Sequence, residues 1–292
     1  MLRPPAPDFL LIGANKAGTT SLIDYLRLHP RIFISRIKEP CFFSDPAQRA
    51  RGEGWYESLF AGARPDQLRG EGSTTYSRWP YLEEPWTLDP REEILARRPD
   101  VRLVYLVRHP VDRAFSQYRY RQRFGRTVTF EEAIERQPGI VDSSRYELQI
   151  ARWRERLVDP RQLLVCLSED LDDARPEFFH TLLDHLGVER RELSGSGEIR
   201  SNEAGVHHLA ARWIAPIRRA PGLRKFFNLL PRPIRTAGRN LIVRSPLGRR
   251  MEGRIRVDPM LPRTRERLLE ELLPAVEAIE RETGRSLPHW RR

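Results

Sequence analysis

The chain has 292 residues, 39% of them hydrophobic, and a formal net charge of +11. That much apolar material can bury a substantial core, which excludes a disordered chain, and two cysteines far apart, Cys41 and Cys166, cannot make a disulfide framework. No apolar run approaches the roughly 20 residues that cross a bilayer, and no secretory leader is recognisable, so a protein of the reducing cytoplasm is expected.

In chain order, the run FLLIG at 9–13 is bounded by Pro7 and Gly13 and predicts a buried strand of a parallel sheet. From Thr19 to Leu28 the apolar residues Leu22, Ile23 and Leu26 fall at helical spacing, and Pro30 closes the pattern. Further strands are predicted at 31–35, 101–108 and 162–167. Residues 109–124 read as a helix with Pro110 in its first turn. Helices are also predicted at 144–157, 176–187 and 262–284; the last carries an apolar stripe through Leu268, Leu269, Leu272, Leu273, Val276 and Ile279 that should pack on the sheet as scaffold. Strands alternating with helices imply βαβ units and a mostly parallel sheet.

Most of the excess charge lies between Arg212 and Arg256, where thirteen Arg or Lys face one acid, Glu252. Prolines 216, 221, 231, 233 and 246 break this segment into short pieces, as in a lobe of short helices rather than a separate domain. Three readings stay open for it: a cover over an acceptor cleft, a peripheral contact with a membrane surface, or a solvated cationic face.

The turn between the first strand and helix, GANKAGTT at 13–20, has the Gly13 and Gly18 spacing of a triphosphate-binding loop. Thr19, however, occupies the place of that loop's lysine, and Lys16 sits three residues earlier. Amides at a helix N-terminus would still cradle an anion. Lysine occurs only at Lys16, Lys38 and Lys225, so two of the three fall near this motif. After the strand at 101–108, Arg108 and, eight residues on, Ser116 can converge on a second anion at the same sheet edge. Two anion sites on one edge suit a nucleotide with phosphates at both ends.

KAGTTSL, then KEPCFF, then LVRHPVDRAFSQY together resemble the sulfotransferases that use 3′-phosphoadenosine 5′-phosphosulfate (PAPS), in particular the branch of heparan sulfate sulfotransferases and bacterial relatives. The resemblance covers residues 8 to about 122 well and continues more weakly through QLLVCLSEDL and GRSLPHW. It implies a three-layer α/β fold of P-loop-like type, with a central mostly parallel sheet flanked by helices. It also implies one sulfotransferase domain over 1–292, with the basic, Pro-interrupted helical lobe at about 203–258.

On the same resemblance, Lys16, Ala17, Gly18, Thr19, Thr20 and Ser21 hold the 5′-phosphosulfate of PAPS, and Arg108 and Ser116 hold the 3′-phosphate. Lys16 stabilises the leaving phosphate, Glu39 is the general base, the product is 3′,5′-bisphosphoadenosine (PAP), and no metal is required. Spacing alone would make Glu39 a surface carboxylate paired with Lys38; the motif around it reverses that preference. Lys38 either tunes Glu39 or contacts the acceptor, which could be a carbohydrate, a lipid or a small molecule.

Departures from the heparan-type pattern bear on the acceptor. Gly72, in GEGSTTYS, stands where those enzymes commonly have lysine, and no glycine- and lysine-rich covering loop is recognisable. The catalytic histidine and R-K-G motif of the cytosolic branch are not recognisable either, and His207 and His208 lack metal-ligand context. Two competing readings remain: a small-molecule kinase, disfavoured by Thr19, and a nucleic-acid binder using 212–256, which would leave the loop motifs unexplained.

Overall fold

Phe9, Leu10, Leu11 and Ile12 are completely excluded from water. Burial of successive residues, whose side chains point to opposite faces, requires a strand covered on both sides, as in a parallel sheet under two layers of helix. The computed structural model describes residues 5–78, 88–122, 128–173, 175–191 and 258–292 and places this strand, β1 (Phe9–Gly13), at the centre of a five-stranded sheet. β2 (Ile32–Ile34), β3 (Leu68–Gly72), β4 (Arg102–Val107) and β5 (Leu163–Leu167) complete it in the order β2-β3-β1-β4-β5, every pair parallel. All the strands therefore end at one edge, where open α/β sheets collect their ligands.

The strands expected at 31–35, 101–108 and 162–167 are present with slightly tighter limits. Helix α1 (Thr19–Leu26) ends two residues before Leu28. Three short helices follow in two connections: α2 (Pro46–Arg49), α3 (Glu53–Ser58) and α4 (Pro90–Arg97). Beyond β4 come α5 (Pro110–Gln122), α6 (Phe130–Arg136), α7 (Gly139–Asp142) and α8 (Tyr146–Arg154). After β5 come α9 (Ser168–Asp172) and α10 (Pro176–Leu186). The expected lobe at 203–258, with His207 and His208, lies outside the described residues but for its last position. Among the described residues no helix is long and apolar enough to cross a membrane.

The terminal stripe is corrected in two respects. It forms two helices, α11 (Pro262–Glu271) and α12 (Leu273–Thr283), because Pro274 lacks the N–H and the room to continue the first. Its apolar residues also serve different cores. Leu268 and Leu272 join a satellite cluster with Val111, Tyr118, Phe130 and Ile140, whereas Val276 and Ile279 enter the main core against α8 and β5.

β3, whose sequence is LRGEG, has neither an apolar run nor alternation to mark it as a strand. Its place in the sheet is made by individual partners. A Cβ on Gly70 would fall 2.0 Å from the ring of Phe9, so glycine is what lets β1 and β3 lie side by side here. Arg69 is 7% exposed and meets Asp8 at 2.9 Å, and Asp8 also receives Arg98 at 2.7 Å. Burial alone would raise the Asp8 carboxyl, but hydrogen bonds from Arg69 and Arg98 hold it well below the usual carboxylate range.

Candidate active site

Past Ile12 the chain leaves the carboxyl edge of β1 and doubles back. Gly13 is pressed against its surroundings: a Cβ there would lie 2.1 Å from the Ser77 Oγ and 2.9 Å from the Tyr105 ring. The Ala14 N–H donates to the Leu106 carbonyl of β4 (2.6 Å), and the Ala17 N–H donates to the Ala14 carbonyl (3.1 Å). Lys16 and Gly18 both take left-handed conformations, with φ of 72° and 93°. Helix α1 then opens at Thr19 with no side-chain cap and no acid in its first turn. Its leading amides and the positive end of its dipole thus face the loop Ala14–Gly18, a cradle suited to an anion. Thr20 and Ser21 follow on its first turn, partly exposed.

Four of the sequence-predicted residues meet at this cradle. Lys38 donates to the Thr20 hydroxyl (2.5 Å) and lies 3.9 Å from a carboxylate oxygen of Glu39. The Lys16 ammonium stands 4.3 Å over the ring of Tyr120 on α5. Burial pushes the Glu39 carboxyl above its ordinary range, against the charges of Lys38, Lys16 and Arg78 and a hydrogen bond from Thr74. Its side chain is still 34% exposed, so a solute can reach it. The geometry is that of a carboxylate whose proton affinity is raised, next to two lysines at the mouth of an anion cradle, as a base for a hydroxyl or amine requires.

The other predicted pair follows the neighbouring strand β4, Arg108 in the connection after it and Ser116 on the next helix. Arg108 directly follows β4, which pairs with β1, so it shares the carboxyl edge with the cradle. Its backbone is fixed by the Tyr146 hydroxyl, which donates to the Arg108 carbonyl (2.7 Å). Ser116 lies on α5 and is partly exposed. Among the described residues neither the Arg108 guanidinium nor the Ser116 hydroxyl is hydrogen-bonded, and neither joins the Lys16–Glu39 group directly. Both remain available to an anion.

Two buried charges beside the site have no distinguishing signal in the sequence. Arg113 on α5 is fully buried and donates to the Asn15 carbonyl of the cradle (3.3 Å), to Gln117 (2.7 Å), to the Ser144 hydroxyl (2.5 Å) and to the Ile140 carbonyl. Burial pushes it down to about 10. Glu71 on β3 is also fully buried, and it accepts from Tyr76 (2.7 Å), Ser73 (2.8 Å) and Tyr56 (3.2 Å). Burial pushes its carboxyl up to about 7 against those three hydroxyls. Arg113 repeats five residues after Arg108 and Glu71 stands between two glycines, but neither signal separates a buried charge from a surface one. Cys41, next to Glu39, and Cys166, on β5, are free buried thiols.

At Gly72, the departure from the heparan-type pattern, an added Cβ would lie 3.2 Å from the Ile23 side chain of α1, in tight contact.

Comparison with known proteins agrees with this architecture. The sulfotransferase domain profile matches residues 6–194. Human heparan sulfate glucosamine 3-O-sulfotransferase 6 is 35% identical over 112 residues, which are 38% of this chain and 30% of the relative. Human heparan sulfate glucosamine 3-O-sulfotransferase 3B1 is 28% identical over 193 residues, 63% of this chain and 47% of the relative. The chain thus spans between about a third and a half of the length of the curated relatives it matches. A sulfotransferase from Alicyclobacillus acidocaldarius shares the fold with a TM-score of 0.67 at 24% identity, covering 98% of this chain and 99% of that one. Mouse sulfotransferase SULT7A1, solved with PAP, does so with a TM-score of 0.51 at 15% identity, over 96% and 89%. A match that runs from the strand before the cradle to the end of α10 is a match to the whole sheet and its binding edge, and the chain belongs to the sulfotransferase family.

Proposed function

We propose that the chain transfers the sulfuryl group of PAPS to a hydroxyl or amine of an acceptor, with Glu39 as general base and Lys16 at the leaving oxygen. The observation that carries this reading is the convergence of Glu39, Lys16 and Lys38 on the uncapped N-terminus of α1. Arg108 follows β4 at the same sheet edge and Ser116 lies on the helix after it, and neither side chain is hydrogen-bonded among the described residues, which is in keeping with a second anion site. The donor reading is in keeping with the PAP held by the mouse sulfotransferase of the same fold.

PAPS supplies a sulfuryl group on an anhydride oxygen that leaves as a phosphate. Toward that group Lys16 and the amides of the cradle place positive charge where negative charge grows as the S–O bond to the phosphate breaks. Glu39 takes the acceptor's proton as the new bond to sulfur forms. Arg108 and Ser116 fix the far end of the nucleotide through its 3′-phosphate. The site leaves the acceptor class open among carbohydrates, lipids and small molecules; Gly72, packed against Ile23, counts against a heparan-like polysaccharide.

The test separates binding from transfer. Glu39→Ala should lower transfer by about 10²- to 10⁴-fold and leave the affinity for PAP, measured by calorimetry, unchanged. Arg108→Ala should weaken PAP by about 10- to 100-fold, the loss of one charge-assisted bond, and leave adenosine 5′-phosphate nearly unaffected. Equal losses for the two nucleotides would remove the assignment of Arg108, and ATP with magnesium binding better than PAP would favour the kinase.

A further inference from the structure

The segment that carries Glu39 has an unusual backbone. Glu39 and Cys41 both adopt a φ of 53°, in the left-handed region that residues with a Cβ avoid. Such a conformation persists only where its surroundings over-determine it. Here the Ser44 and Asp45 N–H groups close a turn on the Cys41 carbonyl, the Thr75 hydroxyl meets the Cys41 thiol, and two further hydroxyls hold the backbone amides. The Cys41 N–H donates to the Ser73 Oγ (3.0 Å), and the Phe43 N–H donates to the Tyr76 hydroxyl (3.4 Å). Each hydroxyl in turn gives its own proton to Glu71, Ser73 to Oε2 (2.8 Å) and Tyr76 to Oε1 (2.7 Å).

Ser73, Tyr76 and Glu71 are all buried to within 1% of completely, so water does not compete for these bonds. A hydroxyl whose proton is committed to a carboxylate presents its lone pairs outward, which makes it a stronger acceptor for the loop amides. Ser44 adds a third tie, its Oγ lying 2.7 Å from the Thr75 hydroxyl. Among the described residues no cation is hydrogen-bonded or ion-paired to Glu71. A carboxylate buried in that way is costly as a mere core residue, yet each of its two oxygens is joined through one hydroxyl to the segment that follows Glu39.

We propose that Glu71 is the positioning residue for the base: through Ser73 and Tyr76 it clamps residues 41–43 and so holds Glu39 turned toward Lys16 and the cradle. This rests on the reading of Glu39 as the base, and the test is arranged so that the two can fail separately.

The full chain is prepared as Glu71→Gln, Ser73→Ala, Ser73→Thr and Tyr76→Phe. Cys41 lies within the clamped segment and Cys166 in the central sheet, so thiol modification followed by peptide mapping reports the segment and the whole fold independently. Ser73→Ala and Glu71→Gln should raise the modification rate of Cys41 at least about 10-fold while Cys166 stays protected, and Ser73→Thr, which keeps the hydroxyl, should return it to the original rate. PAP affinity should stay within about twofold, because the cradle is built from other residues. Transfer should fall about 10- to 100-fold in kcat with KM for the donor unchanged.

Cys41 remaining protected in both Ser73→Ala and Glu71→Gln overturns the clamp, as does exposure of Cys41 only together with Cys166. PAP affinity lost in parallel with kcat also overturns it. Should Glu39→Ala transfer as well as the original chain, the reading of the base fails; the thiol rates still decide whether Glu71 holds the segment.

Discussion

Each half of the cleft rests on one fully buried charge, and the two are solved differently. Beneath the base, Glu71 is held by three hydroxyls; beneath the cradle, Arg113 is held by two carbonyls, an amide oxygen and a hydroxyl. Neither has an opposite charge bonded to it among the described residues. Glu71 can discharge itself by taking a proton, since burial pushes it up to about 7. Arg113, pushed down only to about 10, keeps its charge at neutral pH. The charge beneath the proposed base can therefore be neutralised, whereas the charge beneath the cradle persists, which suits an anion there. Asp8, ringed by Arg69 and Arg98, shows the ordinary solution to the same problem, in which a buried charge is simply paired.

The largest expected effect tests the protonation of Glu71. Its folded value lies above the unfolded one, so its contribution to stability is fully present below about pH 4.5 and is lost as pH rises through about 7. The rise from 4.5 to about 7 corresponds to on the order of 3 kcal/mol. Glu71→Gln removes the titration. Urea unfolding from pH 4.5 to 8 should show the original chain losing about that much relative to the variant, and parallel curves would mean that Glu71 is ionised throughout.

Arg113 comes next. Arg113 is bonded to the Asn15 carbonyl of the cradle, and a unit charge acting on an anion over on the order of 10 Å at an effective dielectric near 20 contributes about 2 kcal/mol, roughly 30-fold in affinity. Arg113→Met should weaken PAP by that factor, and Arg113→Lys, which keeps the charge, should recover most of it. Calorimetry at two salt concentrations checks both. Because the guanidinium is buried, the loss should change little with salt. A Met variant that binds PAP as the original chain does would make Arg113 a packing residue only.

These two residues also mark where the sequence stops being informative. β1, β4 and β5 are legible because burial on both faces writes itself as an apolar run, and the cradle is legible because Gly13, Lys16 and Gly18 act within eight residues of each other. β3 is illegible for the opposite reason: Gly70 is explained by Phe9, Arg69 by Asp8 and Glu71 by Tyr76, each a partner distant in the chain. Arg108 and Arg113 are the same residue type five positions apart, and only the elements packed around them make one available to a ligand and the other internal. The break at Pro274 was present in the sequence; the apolar stripe running through it masked the proline.

The smallest expected effect settles what Lys38 does. Its ammonium is 3.9 Å from Glu39, and the side chains are 41% and 34% exposed, so the pair contributes about 0.2–1 kcal/mol. Lys38 lowers the Glu39 carboxyl, opposing burial. If tuning is its role, Lys38→Met raises the pH at which the base ionises, and the acid limb of turnover moves upward by a fraction of a unit. Because both groups face solvent, that displacement should shrink as salt approaches 1 M, where the screening length is about 3 Å. If Lys38 instead holds the acceptor, the limb stays in place and KM for the acceptor rises while KM for the donor does not. The tuning outcome is the expected one, since Lys38 is already engaged by Thr20 and turned toward Glu39. An unmoved limb with a raised acceptor KM would reverse it and extend the electropositive character of the Arg113 side to the base.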